Sequence, residues 1–176
     1  MPVKFIFSNQ LLNIWMLFHQ TYNSILRYEN KEFSKIGISA QQHAVLMAIM
    51  QTEGPVTPSQ IAKLVDRNAN SITLILDRME KSGLINRIRN VDDRRSLLVS
   101  VTDKGEKILR EGIGIGWNVI QDLLGELSEE ELVTISDSMG KLRLKAISRC
   151  YPETNLEEIN IDKQHHIYQV LGNNAI

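Results

Sequence analysis

The sequence is poor in cysteine, because Cys150 stands alone among 176 residues. A single cysteine excludes an internal disulfide and any metal site built from several cysteines. Reactive thiols need an electropositive setting, which is uncommon. We therefore expect an ordinary residue near a helix end, and a redox-sensing thiol is the alternative.

The sequence also lacks long apolar runs. No stretch approaches the roughly 18 apolar residues that a membrane-spanning helix needs. The first ten residues, MPVKFIFSNQ, lack the small-residue cleavage site of a secretory signal. We therefore expect a cytoplasmic protein that has no membrane partner.

Motifs of catalysis and cofactor binding are missing as well. The chain contains no G-x-S-x-G, no H-E-x-x-H and no recognisable cysteine-histidine motif. Gly112, Gly114 and Gly116 follow no predicted strand and precede no Lys-Ser/Thr pair, which argues against a phosphate-binding loop. His165 and His166 are adjacent and would point in different directions on a helix, so they make a poor metal site. We expect no metal, no cofactor and no enzyme.

Net charge is nearly absent, at −1, but it is distributed unevenly along the chain. Residues 56–102 carry eight Lys/Arg against five Asp/Glu, a balance of +3, whereas residues 103–176 carry eight against thirteen, a balance of −5. Contact with phosphate is local, so a small basic face suffices for nucleic acid even on a nearly neutral chain.

What the sequence does contain is a regular series of helix caps and turns. Apolar residues three and four apart predict helices, and short runs rich in β-branched residues predict strands. The predicted helices cover residues 9–36, 40–52, 57–65, 69–82, 103–124 and 129–149, and the strands 84–89 and 97–101. Their predicted caps are the pairs Ser39 with Gln42, Thr57 with Gln60 and Ser128 with Glu131, then Thr102, and Gly83 as a left-handed C-cap.

These elements predict a mainly α protein with a small β-hairpin wing. Residues 37–102 would form a winged helix-turn-helix, residues 1–36 and 103–150 a helical dimerisation region, and residues 151–176 an extension of unassigned role. A 28-residue first helix would reach about 42 Å, longer than a compact domain of this size is wide. A second copy would cover its apolar stripe, and a monomeric bundle is the competing interpretation.

The second helix of a helix-turn-helix enters the major groove of DNA, where base edges distinguish all four pairs. Here that helix begins near Ala69, and its exposed first turns are polar. Leu74 would contact a thymine methyl group or be an ordinary exposed leucine. Arg78 would bind phosphate or pair with an acid of its own helix. The predicted DNA contacts are Arg67, Asn68, Asn70, Ser71, Thr73, Leu74 and Arg78.

The hairpin tip, NVDDRRS, is the second predicted contact. Arg94 and Arg95 lie on a short loop, a geometry by which an arginine enters a narrow minor groove. Asp92 and Asp93 can orient a guanidinium through a bidentate bond, so that one arginine is structural and the other reaches DNA. A solvated charge run is the alternative.

The segment from Gln60 to Leu109 resembles the MarR family of winged-helix transcriptional regulators. The family's wing signature D-x-R-x-x-x-x-x-L-T is present as Asp93, Arg95, Val101 and Thr102, with valine in place of leucine. The stretch DRMEKSGLINR and the run Asp-Lys-Gly after Thr102 are also similar to the family. This chain departs from many members at Leu74 and in its longer tail.

The resemblance implies a homodimer that binds a pseudo-palindromic operator, usually represses, and often leaves DNA when a small aromatic or anionic ligand binds. It also implies that Asp93 braces the wing and that Arg95 or Arg94 contacts the minor groove. A winged-helix module that binds protein instead of DNA is the other class, and a shallow salt dependence of binding would distinguish it.

Two further expectations concern the helices around the presumed ligand region. Their aromatic and histidine side chains would line a pocket or pack in the core, the commoner role of such a stripe. Replacing Gly112 and Gly116, a possible hinge, with alanine would stabilise their helix. The possible ligand pocket comprises Trp15, Phe18, His19, His43 and Trp117.

Overall fold

A computed structural model describes residues 8–52, 54–89, 97–150 and 152. It confirms a mainly helical protein with one β-hairpin, and the chain divides into two compact units, Met1–Ile115 and Gly116–Ile176. No described helix is both long enough and apolar enough to cross a membrane. The elements are α1 (Gln10–Phe33), α2 (Ala40–Met50), α3 (Pro58–Leu64), α4 (Ala69–Lys81), β1 (Ile85–Arg89), β2 (Leu97–Val101), α5 (Asp103–Leu124) and α6 (Glu129–Cys150).

Local hydrogen bonds begin three helices where the sequence predicts them. In each capping box, a hydroxyl accepts the amide three residues on, and that residue's side chain accepts the cap amide in return. These paired bonds measure 3.1 and 2.8 Å for Ser39 with Gln42, 3.3 and 2.9 Å for Thr57 with Gln60, and 3.3 and 2.9 Å for Ser128 with Glu131.

Gly83 ends α4 as predicted, with a φ of 71° that favours glycine. Its amide donates to the Glu80 carbonyl at 2.9 Å, and the Leu84 amide donates to the Met79 carbonyl at 2.9 Å. These two bonds satisfy carbonyls that the helix end would otherwise leave open, and they turn the chain directly into β1.

The core of the first unit lies against the apolar side of α4. Ile72, Leu76 and Met79 are fully buried there, as the spacing predicts. Helices α2 and α3 and strand β1 all contact α4. The residues of α2 from Val45 to Ile49 are all buried, so this helix packs on more than one side. One of these contacts is with α4.

The hairpin pairs β1 and β2 antiparallel, with Arg87 opposite Val99 and Arg89 opposite Leu97. Val56, just before α3, forms a bridge to Val99 through bonds of 3.0 and 2.7 Å. This bridge cannot be predicted from sequence, because one residue between Gly54-Pro55 and a helix cap carries no strand pattern. It ties the base of the hairpin to the helix-turn-helix.

The first half of α5 approaches α2 closely at Gly112. A methyl group there would overlap the His43 ring and lie 3.4 Å from Cε1 of Phe33. Alanine would gain about 1 kcal/mol in helix propensity, but relieving the overlap costs about 1–3 kcal/mol. The expected stabilisation by alanine is therefore wrong at Gly112, because a neighbouring helix occupies the space.

Candidate nucleic-acid interface

The turn between α3 and α4 sets the direction of the second helix. Asp66 adopts a left-handed φ of 51°, which redirects the chain after α3. The Asn68 side chain then caps α4 by accepting the Ser71 amide at 2.8 Å. Of the predicted DNA contacts, Asn68 thus has its side-chain oxygen engaged by the cap, and its amide nitrogen is the group left to reach a ligand.

The sides of α4 differ sharply in chemistry. Successive residues turn by about 100°, so Asn70 and Leu74 lie opposite the buried stripe, with Ser71 and Arg78 on one flank and Thr73 on the other. Asn70 is exposed, and Leu74 is 61% exposed. The Thr73 hydroxyl donates to the Ala69 carbonyl at 3.0 Å, so its proton is already used within the helix.

An open cleft of about 450 Å³ lies at the start of α4. It brings together three of the predicted contacts, Arg67, Asn68 and Ser71, with Tyr22 of α1 across from them. Arg67 and Asn68 are exposed and Ser71 is half-buried. Asp66 also lines the cleft, so a cation, a side-chain amide and a hydroxyl that suit a phosphate oxygen lie beside a carboxylate that repels one.

Arg78 and Arg87 have opposite surroundings. Arg78 is exposed and makes no ion pair with any residue that the structure describes. The acids of α4, Asp77 and Glu80, stand one residue before and two after Arg78 and so do not face it. They contact Arg87 of β1, whose Nη2 lies 2.7 Å from Asp77 Oδ1 and whose Nε lies 3.7 Å from Glu80 Oε2. In the sequence Arg87 is only one more basic residue, because nothing local indicates its partners.

The C-terminal end of α4 is held by the start of α5. The Thr102 hydroxyl donates to the Gly83 carbonyl at 2.7 Å and accepts the Gly105 amide at 3.0 Å, so Thr102 caps α5 as predicted. The Lys104 ammonium donates to the Ser82 carbonyl at 2.7 Å. A cation on the last carbonyls of α4 also complements the helix dipole, so these contacts stabilise the end of α4.

The predicted wing contacts Asp93, Arg94 and Arg95 lie outside the described residues, as does Asp92. The paired ends of the strands, Arg89 and Leu97, are described, and they place both ends of the hairpin loop on the sheet that follows α4.

The residues of the predicted ligand pocket fall into separate groups. The Trp15 and His19 rings of α1 meet edge to face at 4.6 Å, with Phe18 6.2 Å from His19, and all three are exposed. His43 instead stacks on Phe33, with ring centroids 4.5 Å apart. Trp117 is half-buried in the second unit.

His43 is an unusual group in this region. Burial lowers the pKa of His43 from 6.5 to about 4, and the backbone of Leu109 acts in the opposite direction by less. Its Nε2 is buried and has no hydrogen-bond partner within the described part of the chain. The ring is therefore neutral in the folded protein near pH 7.

A short helix, a turn, a capped second helix and an antiparallel hairpin define a winged helix-turn-helix. A family model described as the MarR family matches residues 38–97. The HTH-type transcriptional regulator YfiV of Bacillus subtilis is 31% identical over 137 residues, which cover 78% of this chain and 85% of that protein. The chain belongs to the MarR family of transcriptional regulators.

Solved structures agree with this assignment. A mutant MarR from E. coli complexed with operator DNA is 27% identical, with a TM-score of 0.69, over 76% of this chain and 96% of that chain. The organohalide-sensing regulator RdhR, in its 2,4-dichlorophenol-bound form, is 23% identical with a TM-score of 0.76, over 87% of this chain and 94% of that chain. The second likeness is one of fold.

Proposed function

We propose that this chain is a homodimeric transcriptional regulator that binds a pseudo-palindromic operator and represses from it. The observation that carries the proposal is the outer side of α4, where Asn70 and Leu74 are exposed opposite a buried stripe and Arg78 is exposed on the flank beside them. A helix presented in this way fits the major groove, which is about 12 Å wide. Family membership, and the operator DNA bound by the E. coli MarR mutant, support DNA as the partner.

The roles of the proposed contacts follow from their positions. Asn70, Ser71, Thr73 and Leu74 would face the groove, whereas Arg67, Asn68 and Arg78 would hold phosphates on either side. Arg94 or Arg95 would enter the minor groove while Asp93 orients the other arginine. Residues 37–102 would thus bind DNA.

Release by a small aromatic or anionic ligand is the proposed control. The exposed ring cluster of Trp15, Phe18 and His19 supports it, because such rings stack on aromatic ligands.

The direct test is footprinting of the purified protein on DNA that flanks its own gene. A two-fold dimer would protect two half-sites about 10 base pairs apart, centre to centre, because its recognition helices lie one DNA turn apart. Protection of a single half-site, or of none, would contradict the proposed mode of binding.

Arg78→Ala should weaken binding to every duplex by a similar factor. Because Arg78 has no partner in the described structure, we expect the variant to fold as stably as the wild type. Losing one phosphate contact should also reduce the slope of log affinity against log salt by about 0.9. Filter binding between low and moderate salt measures both effects.

Arg110→Ala is the matched control, since it removes the same charge from an exposed residue of α5 that pairs with Glu106 at 3.3 Å. An equal change of slope in both variants would exclude a phosphate contact at Arg78. A shallow slope already in the wild type would favour a protein partner over DNA.

The dimer is proposed from exposed apolar side chains within each unit. On α1, Leu11, Trp15 and Tyr22 form one stripe and are 79%, 63% and 53% exposed. Helix α6 has 22 residues, none of them buried, and its side chains Leu132, Ile135, Met139 and Leu142 share one stripe. Stripes of this length without cover are uncommon on a monomer, so residues 1–36 and 103–150 would meet a second copy.

Met139→Lys should convert the dimer to a monomer at micromolar concentration, because an unpaired ammonium would be buried in the interface. Sedimentation equilibrium measures the mass. Thr134→Lys is the matched control, since it places the same charge on an exposed residue of α6 about 120° from the stripe. If the two variants dimerise equally, α6 is not part of the dimer interface.

A further inference from the structure

We propose that Arg87 is a positioning residue, one that holds α4 at a defined distance from the wing and thereby sets sequence preference without touching DNA. This inference rests on the proposed DNA-binding function. It concerns a residue of β1, outside every contact assigned above.

Arg87 bridges the hairpin and the recognition helix through three groups on one side of α4. Its Nη2 lies 2.7 Å from Asp77 Oδ1 and donates to the Thr73 carbonyl at 3.4 Å, and its Nε lies 3.7 Å from Glu80 Oε2. Positions 73, 77 and 80 fall one turn apart along the flank that faces β1. One guanidinium therefore contacts three groups on successive turns of the helix.

Burial separates Arg87 from a cation that serves phosphate. Its side chain is 16% exposed, against 42% for Asp77 and 44% for Glu80. Its Nε is fully buried without a hydrogen bond in the described structure. The guanidinium of Arg87 is thus enclosed beside Asp77 and Glu80. Arg89, two residues along the same strand, is exposed.

The position of this contact gives it a role in recognition. Helix α4 is the proposed major-groove element, and β1 leads directly into residues 90–96, which contain the proposed minor-groove arginines. A regulator that contacts two grooves at once needs a fixed distance between the two protein elements that enter them. An element that is misplaced loses contacts with bases while it keeps contacts with phosphates. Loosening Arg87 should therefore reduce preference for the correct sequence more than overall attraction to DNA.

The experiment compares two opposite charge changes. Full-length protein is titrated with a 30-base-pair duplex selected by the wild type from a random pool, and with a scrambled duplex of equal length. Arg87→Met removes a positive charge and Asp77→Asn removes a negative one, yet both remove the same ion pair. We expect the ratio of selected to scrambled affinity to fall about tenfold in Arg87→Met, the size of one lost base-pair recognition, and to fall in the same direction in Asp77→Asn.

The controls separate positioning from charge and from stability. Arg89→Met should keep the wild-type ratio, and Arg87→Lys should recover part of it, since an ammonium can reach one of the two acids. The salt slope of Arg87→Met should match that of the wild type. If Arg87→Met does not fold, Asp77→Asn and Arg87→Lys carry the test.

Three results would overturn the proposal for Arg87. They are ratios that move in opposite directions in Arg87→Met and Asp77→Asn, an equal loss in Arg89→Met, or a salt slope lower by about 0.9, which would make Arg87 a phosphate contact. A wild type that selects no sequence from the pool would instead refute the DNA-binding function, and the positioning role with it.

Discussion

Gly105→Ala, which adds one methyl group near the start of α5, should strongly destabilise the folded protein. A Cβ atom at Gly105 would overlap the Leu84 carbonyl oxygen and lie 2.7 Å from Cγ1 of Val101. The first obstacle is backbone and cannot rotate away, so we expect a loss of about 3 kcal/mol in the free energy of unfolding, at the upper end for overpacking. Urea unfolding followed by circular dichroism measures it.

Gly114→Ala is the matched control in the same helix. Nothing lies within 4 Å of a methyl group there, so the gain of up to about 1 kcal/mol in helix propensity should be realised. The two variants should thus differ in sign. Equal stability of the two would mean that α5 is not packed against Leu84 as the structure has it.

The effect of Gly105→Ala should extend to DNA binding. Gly105 donates to Thr102, which in turn donates to the Gly83 carbonyl at the end of α4. Displacing the first turn of α5 would therefore shift the end of the recognition helix.

Acidification from pH 6.5 to pH 4 should destabilise the wild type by about 3 kcal/mol more than a His43→Leu variant. The folded pKa of His43, about 4, is below its ordinary value of 6.5. Above pH 6.5 the ring is neutral in both states and contributes no pH dependence. Between pH 6.5 and 4 the unfolded chain binds a proton that the folded chain refuses, so stability falls at about 1.4 kcal/mol per pH unit.

The measurement is the free energy of unfolding at each pH, taken as the difference between wild type and variant. Burial raises the pKa of Glu29, but that group titrates in both proteins and cancels in the difference. A constant difference between wild type and His43→Leu across this range would contradict the low pKa.

The helix boundaries were predictable because their causes are local. Ser39 with Gln42 and Thr57 with Gln60 are hydrogen-bonded over three residues, and Gly83 is needed wherever a helix ends in the left-handed region. The bounds of α5 and β2 agree with the prediction, and the other elements differ by one to three residues at an end, where helix ends are defined least sharply.

The candidate site was predictable only in part. The polar outer side of α4 follows from period alone, so Asn70 and Leu74 are exposed as expected. The partner of Arg87 was not predictable, because Asp77 and Glu80 precede it by a helix end and a turn whose angle no pattern specifies. The spacing does decide that Arg78 has no partner within its own helix, because Asp77 and Glu80 stand at i−1 and i+2, positions that do not face it.

The sequence by itself determined the order of elements, their caps and the family, since each depends on residues close together in the chain. Tertiary structure decided that Arg87 is paired with acids while Arg78 has no ion pair among the described residues. It also decided that Gly105 and Gly112 have no room for a side chain, and that burial lowers the pKa of His43. Those properties arise from neighbours up to some 70 residues away, as for His43 and Gly112. Packing alone brings such neighbours into contact.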